Sequence, residues 1–188
     1  NSHRMEAEVV RDSLLAASDA LDPAFGGPDL PESQGQASRR RSLYFRTTPD
    51  NKMPLLELFN LANPNECYRR RESIIPQQAL ALTNSPLALD RSRHLARRLI
   101  TDTVDRLGPP VGDSQATHTT SFITSAFETV LGRRPDSREL AACRAFLARQ
   151  ARLLDDPKTL RKFPAGSTAP VAASADPAIR ARENLVHV

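Results

Sequence analysis

Three consecutive arginines, Arg69, Arg70 and Arg71, stand between Glu66 and Glu72 with Cys67 close by, in a connector flanked on both sides by apolar segments. Guanidinium forks at this density suit carboxylate, phosphate or sulfate groups, and the amides of a helix starting near Pro76 would add N–H donors for an anion. The competing reading is an ion-pair brace, in which these arginines pair with Glu57, Glu66 or Glu72 and tie the connector to its helices. That structural role is the one adopted, because charged networks often have no catalytic task. Asn63, Asn65 and Asn84, together with Asn60, offer amides to a ligand such as a sugar. Asn beside Pro or at a helix end is more often satisfied by its own backbone. The candidate ligand-binding set is therefore Glu66, Arg69, Arg70, Arg71, Asn63, Asn65 and Asn84, with no catalytic residue assigned.

Other chemistry is weaker. Cys67 beside cations reads as a candidate activated thiol, whereas Cys143 falls on an apolar helical face as a small core residue. The two cysteines form no CxxC, CxxCH or zinc-type spacing, and either two thiols or one bridge fits. His94 lies on an Arg-rich helix and His118 in a linker, neither with a second ligand at metal spacing, so no metal site is assigned. Ser73, Ser85 and Ser121 sit near helix starts, where capping accounts for them.

These residues need elements to position them. Ala7, Val10, Leu14, Ala17 and Leu21 recur at steps of three and four, predicting a first helix whose face away from the core carries Glu6, Glu8, Arg11 and Asp12. Asn1 or Ser2 is placed to cap it, and Pro23 with Gly26, Gly27 and Pro28 ends it. Asp29 to Ser38 reads as a surface loop. RRRSLYFRTT, around Tyr44, then predicts a short strand in need of a partner, either here or in chain outside this sequence. Pro54 opens a short helix through Leu61 that Asn60, Asn63, Pro64 and Asn65 close. Pro76 starts another, and Ser85-Pro86 restarts helix at once, with Arg91, Arg93, Arg97 and Arg98 mostly outward.

Leu107 to Thr120 reads as a mobile linker. After it, Phe122, Ile123, Ala126, Phe127, Val130 and Leu131 form the strongest core stripe, ending at Gly132. Asp136 and Glu139 have capping-box spacing before a helix carrying Leu140, Cys143, Leu147, Ala151 and Leu154, which predicts an antiparallel hairpin. Asp155 to Asp176 turns to Pro, Ala, Ser and Gly, and Asp176-Pro177 starts a last helix that the chain leaves short of a useful face. Both ends read as cut inside helices.

The expected fold is mainly α, an irregular helical domain of five to seven short helices with one or two short β-strands and long loops. Residues 1–154 form the domain, 155–176 a linker or disordered segment, and 177–188 the start of a truncated helix. Leu14, Leu58, Leu80, Leu95, Phe127 and Leu147 are expected to be buried. At 188 residues the chain has the length of one domain, and a hydrophobic share of 39% with 5% aromatics implies substantial loop outside the core. The +4 formal charge comes from 26 basic against 22 acidic residues spread along the chain, which argues against a nucleic-acid partner. Lysine occurs only at Lys52, Lys158 and Lys162, a bias that a GC-rich genome produces without any function. No apolar run has the length of a membrane span.

Five segments carry a family resemblance: RMEAEVVRDSLLAAS followed by GGP, then RRSLYF, LLELFNLANPN, RRRESIIPQQALALTNSP and FETVLGRRPDSREL. In that order they resemble the C-terminal PSD domain of large planctomycete proteins, a domain of unknown function of the 1553 type, over nearly the whole chain. The resemblance implies an exported parent protein with a preceding uncharacterised domain, and in many members a cytochrome-c-like haem region nearer the N-terminus. Haem is not carried over, because the chain has no CxxCH and His3, His94, His118 and His187 lie in unrelated contexts. No cofactor is therefore expected here. The expected function is a non-catalytic structural or interaction module partnering other domains of its polypeptide or another protein. The alternatives are a binding module for a sulfated or carboxylated glycan through Arg69 to Arg71, or part of an enzyme completed upstream.

Overall fold

The computed structural model describes residues 4–65, 73–112, 114–156 and 170–188. Among them the chain is mainly α. Seven helices run in order: α1 (Ala7–Ala17), α2 (Pro54–Leu58), α3 (Pro76–Asn84), α4 (Pro86–Leu107), α5 (Ser114–Leu131), α6 (Ser137–Asp155) and α7 (Pro177–His187). The chain divides into two compact units, Asn1–Ala88 and Leu89–Val188, with the division inside α4.

In the first unit α1 stops at Ala17, short of Leu21. The Ser18 hydroxyl donates back to the carbonyls of Leu14 and Leu15 at 2.9 and 3.1 Å. Asp19 turns left-handed at φ 56°, and the Asp19 and Ala20 amides return to the carbonyls of Ala16 and Leu15, closing a Schellman end. The same device ends α2. There Asn60 takes φ 64°, and the amides of Asn60 and Leu61 bond the carbonyls of Glu57 and Leu56. Asparagine tolerates this conformation because its short polar side chain bonds locally.

The unit's core joins Ala7, Phe45, Met53, Leu56 and Phe59, with Val10, Leu30, Leu58 and Ala81 packed around them. Gly35 is a close-approach position. A Cβ there would lie 2.5 Å from the buried Met53 side chain.

The strand expected around Tyr44 is a 3-10 turn over Ser42–Tyr44. Its flanks keep only isolated parallel bridges, Asp22 with Arg40 and Leu30 with Phe45. The Asp12 carboxylate explains the bend, since it accepts both the Ser42 amide at 2.8 Å and the Ser42 hydroxyl at 2.6 Å. Tertiary bonding thus overrides the β-favouring composition of the segment. The partner it needed is the stretch from Asp22 to Leu30 of the same chain.

Ser85 caps α4 as expected, accepting the Ala88 amide at 3.0 Å. In the second unit, however, the linker expected from Leu107 to Thr120 is mostly helix. Among the described residues, Gly108–Gly112 stay outside, and α5 starts at Ser114. Thr119 and Thr120 bond the carbonyls four residues back, which lets a threonine-rich run stay helical with its hydroxyls satisfied. His118 consequently lies buried on α5 rather than in a linker.

Along α5 the apolar stripe is buried at Phe122, Ile123 and Ala126, half-buried at Phe127, and exposed at Val130 and Leu131. Of the side chains expected inside, Leu95 and Leu147 are buried and Leu14, Leu58 and Phe127 half-buried, while Leu80 is 58% exposed. Helices α5 and α6 pack on each other, and α7 lies against α6. Ala181 and Glu183 of α7 are buried.

Asp136 and Glu139 form the expected capping box at the start of α6. Arg133 grips the same Glu139 carboxylate through two bonds of 2.8 and 2.7 Å. The Arg133 bonds first, and the Asp136 amide second, hold the Glu139 carboxyl down at about 2. Because the folded value lies below the unfolded one, the cap's stabilisation is present above about pH 4.5 and fades as pH falls through about 2. A carbon-detected NMR titration should place the Glu139 midpoint near 2 in the native chain. In Arg133→Gln it should rise toward the usual glutamate range, and an unchanged midpoint would show that the guanidinium is not its cause.

Candidate functional site

Glu66, Arg69, Arg70 and Arg71 lie outside the described residues, as do Cys67 and Glu72. What is described is how the connector is held at its two ends. Asn63 and Asn65 share one turn across Pro64, in which the Asn63 side-chain oxygen accepts the Asn65 amide at 3.1 Å. Both are exposed, and so is Asn84, the last residue of α3.

On the exit side Ser73 is clasped from three directions. Its hydroxyl lies 2.9 Å from the Asn60 side chain, and its carbonyl receives Arg4 and, at 3.1 Å, Gln78. Gln78 also donates to the Leu58 carbonyl at 2.9 Å. A buried glutamine on α3 therefore stitches α2 to the end of the connector. Glu57, one proposed partner for the arginines, lies 3.8 Å from Lys52.

Sequence reasoning missed the most heavily bonded side chain among the described residues of this unit. Arg11, expected to face water, is fully buried. Its Nε donates to the Gly35 carbonyl at 3.0 Å, one terminal nitrogen to the Ser38 carbonyl at 2.6 Å, and the other to the Arg40 carbonyl at 2.9 Å. The second terminal nitrogen also approaches Asp12 at 3.4 Å, and the guanidinium lies 4.8 Å from the Phe45 ring centre. Burial lowers the Arg11 pKa, with Asp12 opposing. The planar fork matches these carbonyls in a way an ammonium could not, and it folds the loop from Gly35 to Ser42 onto α1. The only sequence signal was an arginine beside apolar positions of an amphipathic helix.

The second unit carries a network of the same kind. Asp90 pairs with Arg91 and accepts the Val171 amide at 3.0 Å, while Arg93 donates to the Val171 carbonyl. Arg97 reaches the Glu183 carboxylate at 2.7 Å and the Ala172 carbonyl at 2.7 Å. The other Glu183 oxygen accepts the Ser174 amide at 3.0 Å. The stretch from Val171 to Ser174, expected as linker, is thereby pinned to α4 and α7. Arg91, Arg93 and Arg97 are partly buried by this network rather than solvated as the helix pattern implied.

Both His118 ring nitrogens are taken by carbonyls, Nδ1 by Ser114 at 2.9 Å and Nε2 by Gly108 at 2.8 Å. His187 Nδ1 lies 3.2 Å from the Ser92 hydroxyl. Cys143 is a half-buried free thiol. Burial, and secondarily Glu139, raise its pKa and disfavour the nucleophilic thiolate. Among the described residues no group of three or more His, Cys, Asp and Glu side chains is placed to hold a metal ion. Nor is any described helix long and apolar enough to cross a membrane. What these polar clusters do physically is brace: each ties a loop or connector end to a helix.

Residues 1–147 match the family model PSD1, a protein of unknown function (DUF1553). The chain belongs to this family. The PSD1 match takes in the whole first unit, with the Arg11 clamp and the Ser73 clasp, and runs through α5 to Leu147 in α6. It stops before α7 and therefore before Glu183. No curated protein and no solved structure matches the chain.

Proposed function

We propose that this PSD1 chain is a non-catalytic docking module of a larger exported protein, leaning on a preceding domain of its own polypeptide. The observation that supports this is the apolar surface that follows the clasped Ser73. Ile74 is 93% exposed and Leu80 58%, with Ile75 and Leu82 exposed beside them, while Gln78 is the one buried residue of α3. A helix that buries its glutamine and exposes its leucines inverts the usual pattern, and such patches mark contact surfaces. The occupant follows from the resemblance, in which the domain succeeds another within one chain. The bracing of Ser73 by Arg4, Asn60 and Gln78 suits this role, because a rigid platform loses less entropy on docking.

Hydrogen exchange on the intact parent protein and on the isolated chain tests it. Amides across 74–82 should exchange more slowly in the parent, and Ile74→Ser with Leu80→Ser should abolish the difference. Equal exchange in both contexts would remove the docking role.

A further inference from the structure

A cavity of about 190 Å³ opens in the second unit between α4, α5 and the start of α7. Ile100, Val104, Phe122 and Ile179 give it apolar walls, and Thr103, Gln115, Asp176 and Arg182 are its polar edges. His118 also borders it, but both its ring nitrogens are engaged by backbone carbonyls.

Arg182 is the unusual member. Its guanidinium is 5.6 Å from the Phe122 ring centre, and its hydrogen bond goes to the Ala178 carbonyl at 3.2 Å. Burial lowers its pKa, with Asp176 opposing. Among the described residues no carboxylate lies within ion-pair distance of it. The Asp176 carboxylate, the nearest negative charge acting on it, caps α7 instead, accepting the Ala178 and Ile179 amides at 2.7 and 3.0 Å. A partly desolvated cation with five donors and an apolar cavity beside it favours an anion that supplies the missing partner.

We infer that this cavity binds a small monocarboxylate with a short branched or aromatic tail, its carboxylate on Arg182 and its tail among Ile100, Val104 and Phe122. The volume falls below the roughly 300–1,000 Å³ of pockets for drug-sized ligands, which limits the ligand to a small acid. One guanidinium near the Asp176 charge suits a single negative charge and opposes a dianion such as phosphate or sulfate. The site lies in the second unit, and its fate is separate from that of the docking surface.

The test is an amide-resolved NMR titration of the full chain with isovalerate and benzoate, using isovaleramide and benzamide as neutral isosteres. Either acid should shift the signals of Ile179, Arg182 and Phe122 saturably. The amides should bind at least about tenfold more weakly, since a hydrogen bond to a charged group is lost. Arg182→Gln should reproduce that loss. Ala178→Leu, at an exposed rim position, should block the mouth while keeping the cation, and it decides the matter if Arg182→Gln does not fold. No saturable shift with either acid, equal binding of acid and amide, or undiminished binding by a folded variant would overturn the assignment.

Discussion

Arg11→Met lowers the unfolding free energy of the first unit by about 3–5 kcal/mol, the range for removing one member of a buried charged network. Methionine fills much of the space of the arginine stem, so the loss comes from polar groups rather than from a cavity. The carbonyls of Gly35, Ser38 and Arg40 lose their donor, and each unsatisfied buried group costs about 1–3 kcal/mol before water or relaxation compensates. Arg11→Lys keeps the charge but cannot serve these carbonyls with a planar fork, and should fall between the two. Urea unfolding followed by circular dichroism measures the series. A Met variant within about 1 kcal/mol of the native chain would mean that the loop from Gly35 to Ser42 holds without the guanidinium, contrary to the geometry.

The second large effect is an asymmetry. Arg97→Ala should cost about 3 kcal/mol and Glu183→Gln only about 1 kcal/mol. The reason is where each charge is left: the Glu183 side chain is 1% exposed and the Arg97 side chain 42%. Without Arg97, a buried carboxylate keeps only the Ser174 amide as partner. Without the charge on Glu183, Arg97 turns to water and the glutamine oxygen still accepts from Ser174. Paired urea melts give the order, and hydrogen exchange at Ser174 gives the location, faster in Arg97→Ala than in Glu183→Gln. The reverse order would show that this pair is solvated and braces nothing.

Much of the helical framework was legible because its signals are local. Pro54, Pro76 and Pro86 each open a helix where the sequence put one, and Ser85, Asp136 and Asp176 each cap one. A cap or a first-turn proline acts over three or four residues, so neighbouring letters suffice to place it. The end of α1 and the start of α5 were misplaced for a related reason. A left-handed aspartate and back-bonded threonines are conformations their residue types adopt only sometimes, and the surroundings choose.

Burial was less legible than helicity. An amphipathic pattern sends every charge to the water side, yet Arg11 and Glu183 lie inside, because the loop carbonyls of Gly35, Ser38 and Arg40 converge on the one, and Arg97 of α4 with the Ser174 amide on the other. The same pattern sends every leucine inside, yet Leu80 lies out while Gln78 on the same helix is buried, since the carbonyls of Leu58 and Ser73 needed a donor. Of the ligand set read from the sequence, Asn63, Asn65 and Asn84 are placed as turn and helix-end residues. The cavity beside Arg182 had no sequence signature at all, because α4, α5 and α7 meet there from widely separated segments.

By itself, then, the sequence settled the family, the mainly helical class and most helix starts, since ordered motifs, caps and prolines act within a few residues. Which charges went inside, which leucines stayed out and where a cavity opened were decided only by tertiary structure, because a buried polar group takes partners from other elements that helix periodicity does not specify, as Arg11 does from the loop carbonyls and Glu183 from Arg97 of α4.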